Sequence, residues 1–174
     1  LAAERAEQVI AIQPTFEALM VLAAAQFQIQ ISTPPAERSW TRLEEVLRAA
    51  DQAPAEQPRK WRSDLLRAEY LVYRTRADGN AEDGQQQARA VLDAAVIEHS
   101  QSPELLLRAC LAYENLELPA EANRVLEHMR SANLPLVEVA VTESRLLAMR
   151  KQFAEARAVL EKANQSISTT ERTR

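Results

Sequence analysis

The chain of 174 residues contains little glycine, cysteine or aromatic side chain. Aromatic residues make up 5 % of it, so a core must be built mainly from alanine, leucine, valine and isoleucine. The single cysteine, Cys110, excludes an internal disulfide and leaves the redox compartment undefined. No apolar stretch approaches the ~18 residues that a membrane span requires, so the sequence predicts no such span.

The chain also has little net charge, with a formal value of −4. This balance argues against a general nucleic-acid-binding protein. The chain has 18 arginines but only 3 lysines, a ratio that favours a GC-rich, bacterial genome. Since Leu1 already lies in a helical pattern, we expect that the chain was cut from a longer protein.

A pentapeptide repeats along the chain. Ala-Arg-Ala-Val-Leu at 88–92 recurs unchanged at 156–160, and Ala-Asn-Arg-Val-Leu lies midway at 122–126. The period of 34 residues predicts a stack of helical hairpins. The eight prolines fall near breaks in the apolar pattern, which indicates long helices with short connectors.

Small and large apolar residues recur in phase with this period. The best-matching repeat has them in its first helix at Leu106, Ala109, Cys110 and Tyr113, and in its second helix at Ala122 and Leu126. With these residues the chain resembles the tetratricopeptide repeat (TPR) family over nearly its whole length. The resemblance implies an all-α, right-handed superhelix of about four and a half hairpins.

The same pattern predicts the domain organisation. We expect a single solenoid domain over residues 1–165, followed by a polar tail or linker. The predicted segments are an orphan helix at 1–13, repeats at 15–54, 57–100, 103–134 and 136–165, and the tail at 166–174.

The first two repeats each contain seven extra residues. Sixteen residues separate Phe27 from Leu43, and also Val72 from Ala88, whereas the matching step is nine in the third and fourth repeats. Seven residues make about two helical turns. The simplest interpretation lengthens each helix of both repeats by roughly one turn. Two long loops are the alternative, which the turn residues at 78–80 favour in the second repeat.

Residues that could carry chemistry are scattered. The sequence has no nucleophile paired with a base, no glycine-rich phosphate loop and no cluster of metal ligands. His99 and His128 fall near helix ends, where a solvated or dipole-compensating role is typical. Cys110 occupies a small-residue position and is expected to be a buried hydrophobe. We therefore predict no enzymatic activity, no metal and no cofactor.

The segment 59–76 is locally basic, with six arginines and lysines against two acids, and has Trp61, Tyr70 and Tyr73 interleaved. This pattern is typical of sites for nucleic acid or another anionic polymer. An ordinary solvated helix face is the alternative.

In the resembled family, first helices line a concave groove that holds a peptide or a partner's helix. Carrying these positions over places Glu104 and Glu138 in the groove. The partner-binding residues implied by the resemblance are Tyr70, Tyr73, Arg74, Leu107, Leu111, Glu114 and Arg145. An apolar middle with mixed charges suits a helix or an internal peptide segment. Packing of these residues between repeats is the competing interpretation.

The predicted function is thus a non-enzymatic protein–protein interaction scaffold. Two alternatives remain at this point. One is an envelope or exopolysaccharide-export assembly module that binds an anionic polymer. The other is a regulatory domain of an enzyme whose catalytic part lies elsewhere. The sequence leaves the oligomeric state unknown.

Overall fold

A computed structural model describes residues 15–53, 60–77 and 80–172 of the chain. Regular structure in these ranges is entirely helical, which confirms the all-α class; the predicted orphan helix at 1–13 lies outside them. The eight α-helices are α1 (Phe16–Ser32), α2 (Thr41–Gln52), α3 (Trp61–Ala77), α4 (Ala81–Glu98), α5 (Pro103–Asn115), α6 (Pro119–Ser131), α7 (Leu136–Met149) and α8 (Phe153–Arg172).

Local sequence explains where several helices begin. The Thr15 hydroxyl caps α1 by accepting a hydrogen bond of 3.3 Å from the Ala18 amide. Ser102 caps α5 in the same way, and Pro103 follows at the first helical position, where its missing N–H costs nothing. Both helices therefore begin at a hydroxyl cap.

The chain divides into two compact units, residues 1–95 and 96–174, where the sequence predicts one domain. In the N-terminal unit, α1 pairs with α2, and α3 packs against both. In the C-terminal unit, α5 pairs with α6, α7 packs against both, and α8 pairs with α7. Each unit therefore has a helical repeat-like organisation in which a first helix covers the preceding hairpin. The last helix extends to Arg172, into the segment assigned to a polar tail.

Fully buried alanine recurs in the helices of both units. Five alanines distributed over both units have no exposed surface: Ala23, Ala50, Ala88, Ala109 and Ala122. A methyl side chain lets helix axes approach towards the ~8 Å end of the usual range, while a neighbouring leucine fills the adjacent hole. The repeated alanine positions of the sequence are thus packing positions.

Backbone turns in the C-terminal unit repeat as well. Glu117, Asn133 and Lys151 have left-handed backbone conformations, with φ of 60°, 53° and 63°. After each of them, the next amide bonds back to the carbonyl five positions earlier, at 2.9, 3.3 and 2.8 Å respectively. This is the Schellman closure of a helix. The turns at Glu117 and Lys151 join the two helices of their hairpins and are one 34-residue period apart.

The two early hairpins accommodate their seven extra residues in different ways. In the second, α3 and α4 have 17 and 18 residues, which agrees with longer helices. In the first, α1 has 17 residues but α2 only 12, so the prediction is wrong for α2. Thr33 precedes a proline and is extended, with ψ of 142°. A 3₁₀ turn at Pro35–Glu37 forms part of the connection from there to α2.

Gly84 allows α3 and α4 to approach each other closely. A Cβ atom added at this position would lie 1.6 Å from Thr75 Oγ1, 2.7 Å from Thr75 Cβ and 3.0 Å from the Leu71 carbonyl oxygen. Thr75 is itself fixed, because its hydroxyl donates to that carbonyl at 2.9 Å. The contact has no room for a methyl group.

We therefore expect Gly84→Ala to lower the free energy of unfolding by about 1–3 kcal/mol, the usual cost of overpacking. Thermal and urea denaturation of the full chain measure it. Gln86→Ala, on the exposed face of α4, is the matched control and should be nearly neutral. Thr75→Ala should partly rescue the Gly84 variant in a double-mutant cycle. A gain in stability, as helix propensity alone predicts, would contradict this account.

Lys151→Gly should have the opposite effect. A non-glycine residue in the left-handed region costs about 1–2 kcal/mol, and glycine removes most of that cost. We expect a net gain of about 0.5–1 kcal/mol after the larger chain entropy of glycine is included. Lys162→Gly, inside α8, is the control and should lose about 1 kcal/mol. Equal losses for the two variants in urea denaturation would show that the turn is not strained.

Candidate functional site

The seven predicted partner-binding residues lie in both units. Tyr70, Tyr73 and Arg74 are on α3 in the N-terminal unit. Four more are in the C-terminal unit, on α5 and α7: Leu107, Leu111, Glu114 and Arg145.

An aromatic cluster surrounds the two tyrosines of α3. The rings of Phe27 and Tyr73 meet edge to face, with centroids 5.4 Å apart and an interplanar angle of 83°. Trp40 is the last residue of the hairpin turn. Its ring centroid lies 6.3 Å from that of Phe27 and 5.4 Å from that of Tyr70. Pairs of this geometry add to the stability gained from burial. Trp40 therefore packs the hairpin turn against α3.

Tyr70 and Tyr73 differ in what they offer a partner. Tyr70 is 4 % exposed, and its hydroxyl donates to Glu44, whereas Tyr73 is 40 % exposed. Burial raises the pKa of the Tyr70 phenol, and the bond to Glu44 raises it further, while Arg74 opposes the shift. Tyr70 thus fits the competing interpretation of a packed residue, and of the two tyrosines Tyr73 alone presents a large surface.

The basic segment of α3 is largely engaged within the N-terminal unit. Three of its arginines form ion pairs with carboxylates of the preceding hairpin: Arg62 with Glu17 at 2.7 Å, Arg67 with Asp51 at 2.5 Å, and Arg74 with Glu44 at 2.7 Å. Pairs this exposed contribute little stability individually. They do lower the positive charge that α3 could present to an anionic polymer.

Glu114 has a structural partner in the C-terminal unit. Its two carboxylate oxygens accept bonds of 2.9 and 2.7 Å from Arg150, which also donates to Asn123 at 3.1 Å. The Glu114 side chain is only 14 % exposed, and this bond raises the pKa of the Arg150 guanidinium. A bidentate pair of this kind fixes geometry. Glu114 therefore joins helices together and is poorly placed to orient a partner.

Cys110 is buried, as its small-residue position predicts. Its Sγ atom donates to the Ala122 carbonyl oxygen at 3.4 Å, across the α5–α6 contact. Burial raises the pKa of the thiol to about 12. Because the thiolate is the reactive form, this cysteine is inert at neutral pH.

A cleft of ≈ 360 Å³ lies between α5 and α7 and contains most of the groove residues predicted in this unit. Its lining consists of Pro103, Glu104, Leu107, Arg108, Leu111, Glu138 and Arg145. Two pairs in this lining, Glu104 with Glu138 and Leu111 with Arg145, are separated by one repeat period of 34 residues. The two helices thus present equivalent positions side by side.

The cleft is acidic at one end and basic at the other. Glu104 and Glu138 lie in the first turns of α5 and α7, whereas Arg145 is two turns further along α7. Arg108 pairs with Glu104 at 3.4 Å. Among the described residues, neither Glu138 nor Arg145 has an ion-pair partner within 4.0 Å. The cleft therefore combines half-buried leucines with one available charge of each sign.

A second cleft of ≈ 250 Å³ lies between α6 and α7. It differs from the first in that its arginines are held in ion pairs. Arg130 bonds to Glu143 at 2.7 Å and also to Glu127, and Arg150 is held by Glu114. These mutual bonds satisfy the charges of the lining. In the second cleft, therefore, both arginines are already engaged by neighbouring carboxylates.

Within the described ranges, no group of three or more histidine, cysteine, aspartate or glutamate side chains is arranged to hold a metal ion. None of the helices described is both long enough and apolar enough to cross a bilayer. Comparisons with protein-family models, with curated proteins and with solved structures find no match to this chain.

Replacing each tyrosine of α3 by alanine should separate their roles. Tyr70→Ala is expected to lower the free energy of unfolding by about 3 kcal/mol or more, because it leaves a cavity in a packed site. Tyr73→Ala removes a half-exposed ring and should cost about 1 kcal/mol. Urea denaturation of the full chain measures both. Equal losses would mean that both rings contribute alike to the core.

Proposed function

We propose that the chain is a non-enzymatic interaction module that binds a helix or peptide segment of a protein partner in the cleft between α5 and α7. The observation that carries this proposal is the lining of the cleft, where partly exposed Leu107 and Leu111 lie beside the available charges of Glu138 and Arg145. Apolar side chains in a concave site with a few polar groups are typical of binding sites.

The proposal includes the architecture that the TPR resemblance implies. In it, successive first helices line one face of a right-handed superhelix. Three features support a 34-residue structural repeat: the buried alanines, the matched turns at Glu117 and Lys151, and the contacts of α7 with both helices of the preceding hairpin. A partner would lie along the first helices in such an array.

The ion pairs of α3 make the anionic-polymer alternative less favourable. Three of its basic side chains already bond to the carboxylates of the first hairpin. A polymer would have to compete with these carboxylates for the same donors. We therefore assign the principal binding role to the C-terminal unit, where the cleft charges remain available.

A selection from a library of random peptides tests the proposal. The full chain is immobilised, and the affinity of the best peptide is measured by fluorescence anisotropy. Leu111→Ala should weaken that peptide by about fivefold or more, the effect expected for a residue worth over 1 kcal/mol of binding. The melting temperature identifies any loss caused by unfolding.

Leu160→Ala is the matched control, because Leu160 is also aliphatic and is 43 % exposed on α8, outside the cleft. The Leu160→Ala variant should bind the selected peptide as tightly as the unmodified chain does. Failure to enrich any peptide would refute the proposal, as would equal weakening by the two substitutions.

A further inference from the structure

We propose that the cleft recognises an α-helix that runs antiparallel to α5 and α7. This helix carries an acidic residue seven positions before a basic residue, with two aliphatic residues between them on the same face. The inference rests on the proposed function and goes beyond it, because it specifies the conformation, direction and charge order of the partner.

The direction of the cleft helices comes from the chain path. α5 and α7 are the first helices of consecutive hairpins, and α6 reverses the chain between them. The cleft-lining residues one period apart, Glu104 with Glu138 and Leu111 with Arg145, fit two helices that run the same way in register. The amino-terminal ends of both helices therefore lie at the acidic end of the cleft.

Spacing of the available charges selects a helical partner. Glu138 and Arg145 are seven residues apart on α7, a rise of about 10 Å along a helix. A facing helix repeats its own side chains at the same seven-residue interval, so it can place one charge opposite each of them. Leu107 and Leu111 lie one turn apart on α5, where a pair of aliphatic side chains from the partner can cover them.

The charge order then follows from two effects that agree. Glu138 and Glu104 attract a basic side chain at the acidic end, and Arg145 attracts an acidic one at the other end. Helix dipoles favour an antiparallel neighbour, whose carboxyl end lies near the amino ends of α5 and α7. In an antiparallel helix the acidic residue comes first. The acidic residue then lies towards the amino end of the partner helix, where its negative charge also stabilises that helix.

Two helix-stapled, alanine-rich peptides of 16 residues provide the test. The charged peptide has a glutamate, leucines at the third and fourth positions after it, and a lysine at the seventh. The neutral peptide has glutamine in place of both charged residues. We expect the charged peptide to bind the full chain about tenfold more tightly, as two partly exposed ion pairs of up to about 1 kcal/mol each would allow.

Arg145→Glu should remove most of this advantage, because the charged peptide loses an attraction that the neutral peptide does not make. Lys162→Glu makes the same charge change on the exposed surface of α8, outside the cleft, and should alter neither affinity. A nitroxide on the amino end of the charged peptide should broaden the amide signals around Arg145 more than those around Glu138.

Contrary outcomes separate this inference from the proposed function. Equal affinities of the two peptides, or broadening centred on Glu138, would overturn the charge order or the direction while leaving a binding cleft. If library peptides bind the cleft but neither stapled peptide does, the partner is not a helix of this kind. If nothing binds, both the inference and the proposed function fail.

Discussion

Close approach of helices at alanine positions is the constraint on which the rest of the structure depends. A chain with 5 % aromatic residues cannot fill wide gaps between helices with large rings. Small residues that let helices approach each other are the alternative, and Ala88 and Ala122 are fully buried at equivalent positions of the repeat. Each first helix can then cover both helices of the hairpin before it. At Gly84 the neighbouring helix is so close that even a methyl group is excluded.

Arginine joins the helices that alanine brings close. Its long side chain spans from one helix to a carboxylate on another, as Arg150 does with Glu114 and Arg130 with Glu143. Exposed pairs add little free energy individually. The bidentate Arg150–Glu114 pair instead favours one register of neighbouring helices over others. A large content of arginine in an acidic chain therefore need not indicate a nucleic-acid or polymer site.

Much of the fold could be predicted from sequence because its signals are local. Caps such as Ser102, the phase of buried alanine and leucine, and the prolines at helix starts all depend on neighbouring residues. The length of α2 could not be predicted in this way. The spacing from Phe27 to Leu43 counts residues but does not show whether they form helix or turn. Thr33 before a proline was the signal that could have indicated the break.

The site was harder to predict, because partners distant in sequence determine which charged residues are available. Arg145 and Arg150 are five residues apart near the end of α7 and look equivalent in the sequence. Glu114 lies 36 residues before Arg150 and holds it in a bidentate pair. Arg145 faces the open cleft beside Leu111 instead. The charges that remain after the helices have packed thus decide which partner this cleft can select.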